Sequence, residues 1–223
     1  MTGMAATVWL VRHGESRANA GSHTTGSATN PLTPLGEQQA VIVAENFSEA
    51  PDLVVHSPFL RARQTAQPTI DRFPATPVAQ WPIEEFSYLG RFHGSPTTTK
   101  HRAPAVRDYW QTADPHYRDD DNSESFVDVY ARARGFLRCL AEADCDRVAA
   151  FTHGMFMRVV LWVLLTGEEV PDSESMRRFH TFRQASLIPN GSILPLHAHG
   201  EHGYQFLSTT TAHLPPELRS GGI

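Results

Sequence analysis

Two histidines in this chain stand between a short apolar run and a glycine, in Val11-Arg12-His13-Gly14 and Phe151-Thr152-His153-Gly154. A third apolar run ends at His56-Ser57-Pro58 with Arg61 just beyond it, and Glu84-Glu85 offers a pair of carboxylates. These residue types suit chemistry on an anion. Arg12 and Arg61 can fork onto phosphoryl oxygens, and backbone N–H groups of helices expected to start near Ser16 and Ser57 would add donors. A neutral imidazole is a competent nucleophile toward phosphorus. A second, protonated imidazole would stabilise charge gathering on the phosphoryl oxygens. A carboxylic acid would protonate the leaving alkoxide and afterwards activate water. No Cys/His ligand spacing accompanies the set, so the chemistry reads as independent of metal.

Such groups must be delivered to one rim, and the pattern of elements does that. Thr7–Val11, Asp52–His56 and Arg147–Phe151 read as buried strands, and Val78–Glu84 as a weaker strand at an edge because Pro82 interrupts it. Ser192–Leu196 and Tyr204–Thr209 read as a closing hairpin. Thr33-Pro34 caps a helix running to about Phe47. Ser57-Pro58 repeats that signal for a helix carrying Arg61, Gln64 and Thr65, which Pro68 should kink or end. An amphipathic helix starts at Ser123 or Ser125 with Phe126, Val129, Tyr130, Ala133, Phe136, Leu137 and Leu140 at helical spacing. Met155–Leu165 is apolar nearly all round and ends at Gly167. Strands alternating with helices predict an α/β three-layer sandwich with a mostly parallel central sheet flanked by helices. Ligands of such sheets bind beyond the carboxyl ends of the strands, where all four polar motifs fall.

The chain has 223 residues, 40 % of them hydrophobic, enough for one domain spanning residues 1–223. Residues 90–122 differ in texture: glycines, prolines and histidines surround a short aromatic helix expected at Val106–Gln111, and the segment reads as an insertion or lid. The formal net charge of -5, without a long run of one sign, gives no footprint for nucleic acid. Lys100 is the only lysine, a bias that composition alone explains. Cys139 and Cys145 do not make a disulfide framework, no signal peptide is evident before Thr7, and Val159–Leu165 is too short to span a bilayer. A protein of the cytoplasm, free of membrane, is the expectation. The stretch from Pro215 reads as a disordered tail.

Leu10-Val11-Arg12-His13-Gly14-Glu15-Ser16 with Asn19 beyond it resembles the signature of the histidine phosphatase superfamily, the phosphoglycerate-mutase-like fold. The resemblance continues through Leu32-Thr33-Pro34-Leu35-Gly36-Glu37-Gln38-Gln39-Ala40, Ser57-Pro58-Phe59-Leu60-Arg61-Ala62-Arg63-Gln64-Thr65-Ala66, Glu124-Ser125 opening a long helix, and Thr152-His153-Gly154. So many motifs in order are far more specific than any one alone. The resemblance implies that His13 is phosphorylated and that Arg12, Asn19, Arg61, His153 and Gly154 hold the phosphoryl group. It implies Glu85 as the proton donor, although the interval from the glutamate to Gly90 is one residue longer than the commonest pattern, which keeps Glu84 in contention. The implied activity is that of a phosphatase of the histidine acid phosphatase type. It needs no cofactor or metal and acts on a phosphorylated small molecule.

Two rivals stand beside this phosphomonoesterase. A phosphoglycerate mutase would return the phosphoryl group to substrate, yet Ala20–Asn30 is small and polar where such mutases carry an aromatic-rich segment. A non-catalytic phospholigand-binding module would lack a pocket residue. Among the remaining histidines, His197, His199 and His202 lack a completing ligand and read as surface. His56 reads as a substrate contact or a packed residue, and His93, His101 and His116 belong to the 90–122 segment.

Overall fold

The computed structural model describes residues 6–23, 26, 28–92, 96–199 and 203–221. One six-stranded sheet runs in the order β3-β2-β4-β1-β5-β6. Its strands are β1 (Thr7–Arg12), β2 (Leu53–His56), β3 (Val78–Gln80), β4 (Arg147–Thr152), β5 (Ile193–Ala198) and β6 (Tyr204–Phe206). The first four are parallel to one another, whereas β5 and β6 are antiparallel additions on the β1 side. Strand alternation sorts the side chains into two layers. Val8, Leu10, Val55, Val148 and Ala150 pack on one face with α4 (Phe126–Glu142) and α5 (Gly154–Thr166). Val11, Val54, Ala149 and Phe151 pack on the other against Val43 of α1 (Pro34–Asn46) and Ala66 of α2 (Leu60–Arg72). The expected sandwich is therefore present, with β1 and β4 buried at its centre.

Several elements differ from the sequence expectation. Ser57 does not cap α2, which begins at Leu60 after Phe59 without a side-chain cap. Its hydroxyl instead accepts from Phe59 N at 3.2 Å. Pro68 lies inside α2 and does not end it, because the buried Ala62, Thr65, Ala66 and Thr69 fasten the helix on both sides of the missing N–H. No helix starts near Ser16, whose surroundings are turns. Residues 90–122 contain a full helix, α3 (Thr99–Thr112), longer than the aromatic core Val106–Gln111 suggested. A further helix, α6 (Ser173–Ala185), was not expected at all.

Where the structure describes it, from Pro215 to Gly221, the tail is ordered rather than disordered. Leu214 is buried, Pro216–Leu218 form a 3-10 turn, and Gln39 Nε2 donates to Leu218 O and to Ser220 Oγ. Backbone anchoring replaces the apolar pattern that sequence reading looks for. Among the described residues no helix is long and apolar enough to cross a membrane. His93 and His202 lie outside the described residues.

Candidate active site

The parallel register of β1 and β4 sets Arg12 beside Thr152, and His13 N donates to Thr152 O at 3.0 Å. The next residue of each strand therefore falls on the α1/α2 side of the sheet, which brings the His13 and His153 rings to 5.1 Å between centroids. Alternation sends Arg12 and Thr152 to the opposite side. There Arg12 Nη1 donates to Ile188 O, and Thr152 Oγ1 donates to Ile83 O.

The orientation of His13 is settled by its neighbours. Nδ1 lies 2.7 Å from Gly14 O, a carbonyl that can only accept, so Nδ1 carries the proton and Nε2 keeps its lone pair. Arg61 Nε donates to that Nε2 at 3.0 Å, which is consistent with the same tautomer. The turn that holds Gly14 O in place requires glycine twice. A side chain at Gly14 would come within 2.4 Å of Gly36 O, and one at Gly36 within 2.1 Å of Glu15 O. Gly14 N donates to Thr65 Oγ1 at 3.0 Å, tying this turn to α2.

Asn190 is the polar residue that sequence reading missed here. It is fully buried, and its Nδ2 lies 3.2 Å from His13 O, 3.4 Å from Gly14 O and 3.1 Å from Asn19 Oδ1. One amide thus holds the nucleophile's own carbonyl, the carbonyl that orients its ring, and a residue lining the cavity. The sequence signal was only an asparagine before Gly191, which reads as a turn.

His153 and Arg61 are likewise buried. His153 Nε2 pairs with Ser57 Oγ at 2.8 Å, and Phe59 packs edge-on against its ring at 5.3 Å. Among the described residues, His153 Nδ1 and Arg12 Nε are buried without a hydrogen-bond partner. Polar atoms in that state are costly unless something binds them. Burial, reinforced by Arg61 and Arg12, holds the His13 imidazole well below its ordinary range. His153 is lowered in the same way, by burial and then by Arg61, His13 and Arg12. Burial also pulls Arg12 and Arg61 down to about 10, with Glu85 opposing it, so both remain cationic at neutral pH.

The two adjacent carboxylates are separated by their surroundings. Glu85 lines the same cavity as Arg12, His13 and Arg61, and its Oε1 accepts from Met155 N at the start of α5 at 3.1 Å. Glu84 turns away to Arg132, which also grips Glu124 with two hydrogen bonds of 2.8 Å and donates to the carbonyls of Pro82 and Glu84. The Glu124-Arg132 pair therefore staples the segment that presents Glu85.

The cavity has a volume of about 320 Å³. Asn19 lines it, as do Ser16 and Asn30. His153 sits beneath the floor, fully buried, and Gly154 does not line the cavity. Instead a Cβ at Gly154 would lie 3.2 Å from Arg12 Nε and 3.1 Å from Arg158 Nη1, so this glycine makes room for the Arg12 side chain. His56 points its Nδ1 at Ser57 O and is not among the lining residues. Among the described residues, no three His, Cys, Asp or Glu side chains gather into a metal-binding group.

The sequence profile of the histidine phosphatase superfamily, branch 1, matches residues 8–190. The adenosylcobalamin/alpha-ribazole phosphatase of Salmonella typhimurium is 30 % identical over 170 residues, covering 71 % of this chain and 79 % of that protein. The mycobacterial glucosyl-3-phosphoglycerate phosphatase, solved with VO3, superposes with a TM-score of 0.67 at 26 % identity, covering 91 % of this chain and 97 % of that one. The phosphoserine phosphatase of Entamoeba histolytica shares the fold with a TM-score of 0.71 at 23 % identity, over 94 % of this chain and 99 % of its own.

Proposed function

The chain belongs to the histidine phosphatase superfamily, and from that premise we propose that it is a phosphomonoesterase working through a phosphohistidine on His13. The observation that carries the reading is the state of His13: Nδ1 pinned to Gly14 O and a lone pair on Nε2 facing the cavity's arginine. Relatives that are phosphatases support a phosphatase role. Arg12 and Arg61 grip the phosphoryl oxygens and Asn19 contributes from the cavity wall, with His153 buried beneath them beside His13. His13 Nε2 attacks phosphorus, forming a P–N bond as the ester P–O bond breaks. Glu85 delivers its proton to the leaving oxygen. Water then attacks the phosphohistidine, Glu85 takes a proton from it, the P–N bond breaks and inorganic phosphate leaves. The two arginines bear the charge that builds on the phosphoryl group. The second imidazole, His153, expected to be protonated, is instead held neutral by burial and by Arg61. The leaving group is a small molecule read by the loop at 20–30 and the insertion at 90–122, whose described cavity-lining residues include Gly26, Asn30, Phe92, Thr97, Arg102 and Val106, and no metal or cofactor enters any step.

Incubation with a ³²P-labelled phosphomonoester followed by an alkaline quench tests the reading. Acid-labile label is expected on the protein and is lost in His13→Ala, with inorganic phosphate as the product. Label that persists in His13→Ala overturns the nucleophile assignment. Return of label to an acceptor alcohol with negligible phosphate release points to a mutase instead.

A further inference from the structure

The cavity holds more positive charge than the phosphoryl chemistry uses. Among the described residues, its lining includes Arg12, Arg61 and Arg102 against a single carboxylate, Glu85. A phosphate dianion compensates Arg12 and Arg61 while Glu85 carries the proton that it delivers. Arg102 is then a cation with no counter-charge. Among the described residues no carboxylate pairs with it, and its side chain is held only by Nη1, which donates to Thr97 Oγ1 at 3.0 Å and to Thr97 O at 3.4 Å.

Its place in the helix adds a second, independent reason. Lys100 and Arg102 lie in the opening turn of α3, which has no acidic residue there. Cations at a helix N-terminus are opposed by the backbone dipole, and here Thr98 already caps that end, its Oγ1 accepting from His101 N while its N donates to His101 Nδ1. Arg102 lines the cavity in this unfavourable place without a carboxylate partner among the described residues, and an anionic ligand would offset it. The lining also has an apolar part, from Phe86, Tyr88, Leu89, Phe92 and Val106.

We infer that Arg102 forms a second anion subsite, so that the substrate is a phosphomonoester whose leaving half carries another anionic group, a carboxylate or a second phosphoryl, on a small body. This deepens the phosphatase reading and rests on it for the identity of the first site. Arg102 acts on specificity, binding the leaving half without touching the reacting atoms. A guanidinium fork suits either anion, and a lysine there would keep charge but lose bidentate geometry.

Binding to His13→Ala protein, which cannot turn substrate over, tests the subsite directly. Calorimetric titrations compare 3-phosphoglycerate with glycerol 3-phosphate, which has a hydroxymethyl in place of the carboxylate, and with propane-1,3-diyl bisphosphate. The carboxylate or the bisphosphate is expected to bind at least tenfold tighter than glycerol 3-phosphate, and whichever does identifies the anion. In His13→Ala/Arg102→Gln the preference should shrink to within about threefold, with Arg102→Lys in the same background intermediate. A ratio near one with Arg102 present, or a tenfold ratio that survives Arg102→Gln, overturns the subsite. Hydrolysis of p-nitrophenyl phosphate by the unaltered protein is measured alongside. Failure to hydrolyse it overturns the phosphatase reading, while an Arg102-dependent binding preference in the same protein upholds the anion subsite.

Discussion

A single buried amide does much of the positioning at the nucleophile. Asn190 Nδ2 faces three oxygen acceptors, two of them the carbonyls of His13 and Gly14. Asn190→Ala leaves those carbonyls short of a donor, which should cost about 1–3 kcal/mol of stability and lower kcat more than it raises KM. Asn190→Asp should be worse than alanine despite its closer shape, because an anionic acceptor then meets three acceptors. Thermal midpoints and kcat for the pair check this order, and an aspartate variant as active as the parent would refute the positioning role. The adjacent carboxylates can be told apart at the same scale. Glu85→Gln should slow alkyl phosphates by about 10²–10⁴-fold and p-nitrophenyl phosphate at least tenfold less, since a good leaving group needs little protonation. Glu84→Gln should change either rate by only a few-fold, because Arg132 keeps Glu124 and the backbone carbonyls. If Glu84→Gln shows the larger, leaving-group-dependent loss, the proton donor is Glu84.

At the level of elements, α6 is the part of the scaffold that sequence reading passed over. It buries Met176 and Phe179 beside Trp162, Trp110 and Phe126, with the Phe179 and Phe126 rings 5.0 Å apart. Phe179→Ala should cost about 3–5 kcal/mol, a fall of roughly 10 °C in Tm. Calorimetry that showed a loss below 1 kcal/mol would mean that α6 is not part of the cooperative core. The helix hid because its apolar stripe is only Met176, Phe179 and Phe182 among charged residues. The strands β1, β2 and β4, by contrast, announced themselves as short apolar runs, and α4 and α5 as long periodic ones. The rim was legible for the same reason: Arg12 ends β1, His13 and His153 directly follow β1 and β4, and Arg61 lies in the first turn of the helix after β2. What was not legible came from distant chain. Asn190, the tail at Leu218–Ser220 and the Arg132 staple act through residues far away in sequence. Pro68 did not end its helix, and Ser57 did not cap it, because tertiary packing and the His153 contact outweigh local preference.

For the whole molecule, keeping two adjacent imidazoles buried and neutral couples the site to folding. Both His13 and His153 are held below the ordinary histidine value, first by burial and then by Arg61 and other cationic neighbours. Above pH 6.5 neither the folded nor the unfolded chain binds these protons, and stability does not respond to them. Below it the unfolded chain takes them up and the folded chain does not, so stability falls as pH drops from 6.5 toward the folded values. Each imidazole contributes up to about 1.4 kcal/mol per pH unit across that window. The partly buried His180 and His213 are lowered too and add to the slope. Asp52, Asp119 and Asp128, which are held below the usual carboxylate value, act in the same direction but only under about pH 4. Among the groups held below their ordinary values, the histidines are the ones that act between pH 4 and 6.5. Urea denaturation of the ligand-free protein at pH 7.5 and pH 5 should show a marked loss at the lower pH, and His13→Asn should remove a substantial part of that loss. An unchanged difference between the two pH values in the variant would mean that His13 is not buried as the neutral base its nucleophilic role requires.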